Sequence, residues 1–204
     1  EEIRVSLKHI AITIIGGALF LTAQAADTLP RKFGQLSLGM PAAEFSKVTG
    51  VDPSGRCADC LPQQNGGDVE PEMVKPILDT FTTLARFRKE ADAMPTIFFY
   101  KNKLEFILLM LEQYHYTTVK AEFERILGNQ FKREVFAKKC IYSGGESITW
   151  SDATTSIVLT EYRDKSGNQL EVKFADRALL EEAEKLQDIE QAEAIKKLER
   201  EGNC

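Results

Sequence analysis

Thr96-Ile97-Phe98-Phe99-Tyr100-Lys101-Asn102-Lys103-Leu104-Glu105-Phe106-Ile107-Leu108-Leu109-Met110-Leu111 decides the fold class. Five β-branched or aromatic residues, a polar turn at Lys101-Asn102-Lys103 and eight largely apolar residues read as a β-hairpin. An apolar run of that length also suits a buried helix; the turn decides for a strand. A strand with one wet face alternates apolar and polar side chains, but Leu104 to Leu111 is apolar on both. The sheet is therefore expected to be covered on each side, by helices on one and by a further layer or a second chain on the other.

Outward from the hairpin, each half of the chain shows a short helix followed by antiparallel strands. On the N-terminal side, Gln35 to Met40 reads as extended and Pro41 to Gly50 as a short helix, with Pro41 in its first turn and Gly50 as its stop. Residues 51–71 hold three prolines and three glycines and read as one long loop. Glu72 to Ala93 reads as mainly helical despite Pro76, with Ile77, Phe81, Leu84 and Phe87 on one stripe. On the C-terminal side, Thr117 and Thr118 are candidate caps for a helix carrying Val119, Phe123, Ile126 and Leu127, closed by Gly128. Strands are expected at 146–151, 155–163 and 169–175, with a turn at Lys165-Ser166-Gly167-Asn168.

Asp176 is a candidate N-cap for a last helix reaching about Arg200. Its apolar residues Leu180, Ala183, Leu186, Ile189, Ala192, Ile195 and Leu198 recur every third position, so the stripe drifts by ~60° per step. Such a helix docks by its first two turns and stays solvated beyond them, or serves as a partner-binding tail. The expected class is α+β: two related helix-plus-antiparallel-strand units forming a two-layer fold, with a long C-terminal helix. The units span residues 35–112, with a cysteine loop at 51–71, and 113–176; the helix occupies 177–204.

The remaining N-terminal residues read as an address. Arg4 and Lys8 precede an apolar run of 13 residues, Ile10 to Thr22, and Ala23-Gln24-Ala25 has the small-residue pattern of a cleavage site. Crossing a bilayer takes about 20 apolar residues, so residues 1–25 suit a cleaved signal peptide better than a retained anchor. Residues 26–34 then form a polar linker, and no stable membrane span is expected after cleavage. The expected location is periplasmic or secreted, where thiols oxidise.

Composition narrows the chemistry. With 26 basic against 31 acidic residues the net charge is −5 and no basic stripe exists, so nucleic acid is not an expected partner. The only histidines are His9, within the signal segment, and His115. Zinc centres built from several histidines are thereby excluded from the mature chain, and no cofactor is expected. His115, between Tyr114 and Tyr116, reads as a surface or packing residue; Trp150 reads as core; Glu122/Glu124 and Glu181/Glu182 read as solvated helix faces. The glycine spacing of Gly50 to Cys57 lacks the Lys and Ser/Thr a phosphate loop needs.

Cys57-Ala58-Asp59-Cys60 is the sharpest local motif. Leu61 stands where covalent haem attachment needs histidine, and loop-forming flanks replace the strand–helix junction of a thioredoxin-like couple. A structural disulfide, a redox couple, half of a metal site and free thiols remain the readings. Cys140 and Cys204 form a second candidate pair.

Leu36-Ser37-Leu38-Gly39-Met40-Pro41-Ala42-Ala43-Glu44-Phe45, with the later strand pair around Phe99 and Leu104-Glu105-Phe106-Ile107, resembles the helix start of exported tandem-repeat domains. These are the outer-membrane assembly lipoproteins of the BamE/SmpA type and the β-lactamase inhibitory proteins. The resemblance covers residues 35–110 and more loosely 116–175. It implies a two-layer α+β fold that binds other proteins and performs no chemistry. The chain departs from the pattern by lacking a lipid-bearing cysteine and by inserting the 51–71 loop. The expectation is a non-enzymatic, exported protein-binding module of the bacterial cell envelope, whose partner is another protein or a second copy. The alternative is a periplasmic thiol–disulfide or metal-handling protein using Cys57 and Cys60.

Overall fold

The computed structural model describes residues 29–53, 64–87, 95–111, 115–137, 144–163 and 168–201. A short ribbon, β1 (Lys32–Phe33) and β2 (Leu36–Ser37), leads into helix α1 (Ala42–Thr49). Strand β3 (Gln64–Asp68), a 3₁₀ turn (Pro71–Val74) and the short helices α2 (Lys75–Leu78) and α3 (Thr82–Phe87) follow. The hairpin β4 (Thr96–Tyr100) and β5 (Lys103–Met110) precedes helix α4 (Tyr116–Leu127). Four strands come next, β6 (Lys132–Phe136), β7 (Gly144–Ser151), β8 (Thr155–Arg163) and β9 (Asn168–Asp176), before the 24-residue helix α5 (Arg177–Arg200).

The result is α+β. Seven strands form one sheet in the order β3-β4-β5-β9-β8-β7-β6, each neighbouring pair antiparallel. The hairpin turns through Lys101 and Asn102, both at positive φ, the geometry a two-residue turn needs to match strand twist. The last strand of the first half, β5, pairs with the last strand of the second, β9, at the centre of the sheet.

One face carries the main core. Ile107 and Leu109 of β5, Ile148 and Trp150 of β7, and Val172 and Phe174 of β9 are buried there beneath α1, α3 and α4. Phe45 of α1 meets Phe99 edge-on, and Phe81 stacks on Phe123 of α4 with ring centres 4.0 Å apart. The indole of Trp150 donates to the Gly128 carbonyl at 2.9 Å, so its polar edge is satisfied at the end of α4.

The opposite face carries a smaller cluster, Phe106, Ala175 and Leu180, with Phe98, Leu108 and Val158 partly buried against it. Its cover is α5, whose Leu180 and Ala183 are buried. Both faces of β5 are thus occupied from within the chain, and a second chain is not needed to explain its apolar run. A bulge in the pairing sharpens the point. Phe98 faces Phe106 and Phe99 faces Leu104, leaving Glu105 without an opposite residue and turning it toward the α5 side.

Several expectations are corrected. The 51–71 loop contains β3, an edge strand of Gln64-Asn65-Gly66-Gly67-Asp68 with no apolar side chain to betray it; its register comes from backbone pairing with β4. The second edge strand, β6, was not expected either, because Lys132-Arg133-Glu134 carries charges on an exposed edge. The expected long helix at 72–93 is broken into α2 and α3 at residues 79–81, with Pro76 in the first turn of α2; residues 88–94 lie outside the described set. Within the polar linker, Phe33 is fully buried against Phe174. Helix α4 begins at least two residues earlier than expected, with His115 rather than Thr117 or Thr118 at its N-cap and no side-chain cap bond.

Candidate functional site

Helix α5 and the sheet beneath it define a concave surface among the described residues. The N-terminus of α5 is fastened. Asp176 accepts from the Leu179 amide at 3.1 Å and pairs with Arg31, and Arg177 donates to the Asp152 carbonyl at 2.8 Å. Lys101, from the hairpin turn, pairs with Glu182. Past Ala183 the helix has no further fully buried residue: Leu186 is 39% and Ile189 56% exposed. A helix of 24 residues spans ~36 Å, so much of its length overhangs the sheet without closing on it.

Between that overhang and the sheet lies a cleft of about 580 Å³. Its floor is Phe98, Phe106 and Leu108, with the two rings stacked 4.4 Å apart. Its polar groups come from three places. Glu105, placed here by the bulge, accepts from Gln64 at 2.7 Å. Glu171 of β9 accepts from the Tyr162 hydroxyl at 2.9 Å, while Lys173 stands 3.2 Å from the same carboxylate and 5.5 Å above the Phe106 ring. Helix α5 adds Glu184, Gln187, Glu190 and Gln191. A second cleft of about 480 Å³ opens on the β6 side of the helix, past Phe136, Val158 and Thr160.

Burial alters three of these groups, and raises the Glu184 carboxyl above its ordinary value with the Lys173 charge opposing the shift. Removal of water from Glu105 pushes its carboxyl up to about 7, the Gln64 hydrogen bond opposing the shift. Burial, reinforced by the Glu171 carboxylate, pushes the Tyr162 hydroxyl far above the ordinary phenol range.

A separate buried carboxylate pair sits on the helical face of the sheet near its β6 end. Glu146 accepts from Tyr116 at 2.5 Å and from Arg133 at 2.7 Å, and Glu161 pairs with Arg163. The Arg133 guanidinium beside Glu146 holds its carboxyl below the usual range. The Arg133–Glu146 pair ties β6 to β7, while Arg163 and Glu161 pair within β8.

Of the residues singled out from sequence, Cys57, Cys60, Cys140 and Cys204 all lie outside the described residues, as do His9 and the signal segment. His115 is exposed at the start of α4. Glu122 corrects the reading of a solvated acid: it accepts from the Thr82 and Thr83 amides and the Thr83 hydroxyl, capping α3 from α4. Among the described residues, no group of three or more His, Cys, Asp or Glu is placed to hold a metal ion, and no helix is long and apolar enough to cross a membrane. Sequence reading missed the cleft because its acids come from a bulge, a strand and a helix far apart in the chain. Compared with family models, curated proteins and solved structures, the chain matches none of them.

Proposed function

We propose that this chain is an exported, non-enzymatic protein-binding module of a bacterial cell envelope, built from two related helix-plus-strand units, with the cleft beneath α5 as its recognition surface. The strand order supports the two-unit reading. From the central β5–β9 pair outward, β4 and β8 follow, then β3 and β7, so corresponding strands of the two halves lie at matching distances from the middle. Helices α1 and α4 stand at the start of each unit, and each places a phenylalanine on its own half of the sheet, Phe45 on Phe99 and Phe123 on Trp150. Strand β6 is the extra member.

The observation that carries the binding assignment is the half-open seat of α5: an apolar sheet floor whose covering helix is fastened at one end. The apolar run of β5 does not by itself call for a partner, since Leu180 of α5 packs on part of that face; the part left over, Phe106 and Leu108, is floor of the cleft.

The test is site-specific photocrosslinking in the envelope fraction of the source cells. A photoreactive residue replacing Gln187 should capture one protein, or a second copy of the chain, that the same residue replacing Val48 on α1 does not. Equal capture from both positions, or none from either, defeats the assignment.

A further inference from the structure

The chemistry of the cleft specifies what it receives. Resting on the protein-binding reading above, we propose that the cleft takes a short extended segment of a partner protein in which lysine or arginine alternates with apolar residues. Glu105 is occupied by Gln64, and Glu171 by the Tyr162 hydroxyl and Lys173, which leaves Glu184 and Glu190 of α5 around the cleft, where, among the described residues, Lys173 is the one lysine. The surplus is negative, and it lies over an apolar aromatic floor. A cation in such a cleft gains from carboxylate and ring together, because both interactions strengthen as water is excluded.

Lys173 shows the seat in use. Its ammonium lies over the Phe106 ring and beside Glu171, and its charge also acts on Glu184, the α5 acid an incoming cation would meet. The chain's own lysine is therefore a tethered competitor for the partner's. An extended strand alternates its side chains, so cations at every second position reach Glu184 and Glu190 of α5 while the intervening apolar groups settle on Phe98 and Leu108 of the floor. A segment without cations would leave the acids desolvated and unpaired; one without apolar residues would leave the floor wet.

The opposed signs expected for two sets of variants make the proposal testable. The full chain, ¹⁵N-labelled, is titrated with an acetylated, amidated decapeptide of alternating lysine and leucine, and followed by amide shifts. Shifts should concentrate at Phe106, Leu108, Ala183 and Gln187. Glu184→Gln combined with Glu190→Gln, both exposed on α5, should weaken binding about fivefold. Lys173→Met, which keeps the apolar stem but removes the competitor, should tighten it about threefold. Unchanged Trp150 fluorescence, from the opposite face of the sheet, verifies the fold of each variant.

The proposal is overturned if the glutamate–leucine decapeptide binds equally well, if spermidine binds as tightly as the peptide, if no cleft amide shifts, or if both variant sets move affinity in the same direction. Its failure is separable from that of the envelope-module reading. Capture through Gln187 without decapeptide binding leaves the module and removes the cationic segment. Decapeptide binding without capture leaves the cleft chemistry and removes the module.

Discussion

Glu105 sits in a strand otherwise made for a core, 1% exposed, with Gln64 as its hydrogen-bond partner. Because its folded pKa, about 7, lies above the ordinary carboxyl value of 4.5, the folded state holds a proton there that the unfolded chain releases. Its stabilising contribution is full below pH 4.5 and is lost as pH rises toward 7, a change of at most about 3 kcal/mol. Glu105→Gln keeps a polar group beside Gln64 without the charge. Its melting temperature should exceed that of the parent by roughly 5 °C at pH 8 and match it at pH 4.5; an equal effect at both values would mean that Glu105 ionises freely. Gly39 makes a second case. Its φ is +78°, and a Cβ there would lie 2.8 Å from the Arg31 guanidinium and 2.9 Å from the Asp176 carboxylate. Gly39→Ala should cost about 2 kcal/mol in urea unfolding, from the left-handed backbone and the displaced ion pair together. The Leu-Gly-Met string stands out in the sequence, yet its reason does not, because Arg31 and Asp176 are 145 residues apart. Glu105 was illegible for a related cause: a bulge decides its side, and alternation carries no mark of a bulge.

At the scale of elements, legibility follows burial. Strands β4, β5, β8 and β9 have side chains sorted by the core, and their limits in the sequence and the structure agree within a residue or so. Strands β3 and β6 are edges whose side chains face solvent on at least one side, so nothing in their composition reports the pairing that makes them strands. The break between α2 and α3 is similar: the stripe Ile77, Phe81, Leu84 persists across it, each buried, though the backbone is not continuous helix. Gly145 sits at a close approach in the β7–β8 pair, where a Cβ would meet the Glu161 carbonyl at 2.0 Å. Helix α5 was legible in its start, since Asp176 caps it, and in its docking by the first two turns. That cap carries a third prediction. Asp176→Ala removes the bond to the Leu179 amide and leaves Arg31 without its carboxylate, and should cost about 2 kcal/mol in urea unfolding. Asp176→Asn retains a good cap and should lose only the Arg31 share, about half as much. If the two variants are equally destabilised, the capping bond contributes nothing and the whole share of Asp176 lies in its pair with Arg31.

For the whole molecule, the sheet and its helical face form a unit to which α5 is added at one end. The main core, from Phe33 through Phe174, lies on the side α5 does not touch, and the smaller cluster consists of Phe106, Ala175 and Leu180 with three partly buried neighbours. Burial of α5 is concentrated in its first two turns. Stability and recognition should therefore separate along the helix. Leu180→Ala removes a fully docked side chain and should cost about 2–3 kcal/mol, lowering the urea midpoint for the whole chain. Ending the chain after Asp188 removes the overhang from Ile189 onward, where every described residue is exposed or half-buried, and should change the stability by less than about 1 kcal/mol. The same truncation deletes Glu190 and Gln191 from the cleft wall and should weaken capture of any segment held there. Both variants need measuring by denaturant midpoint, with far-ultraviolet circular dichroism to count the helix lost. A truncated chain that unfolds as early as Leu180→Ala would show that the distal helix holds the sheet closed, and the cleft would then be a seam of the fold instead of a place left open for another molecule.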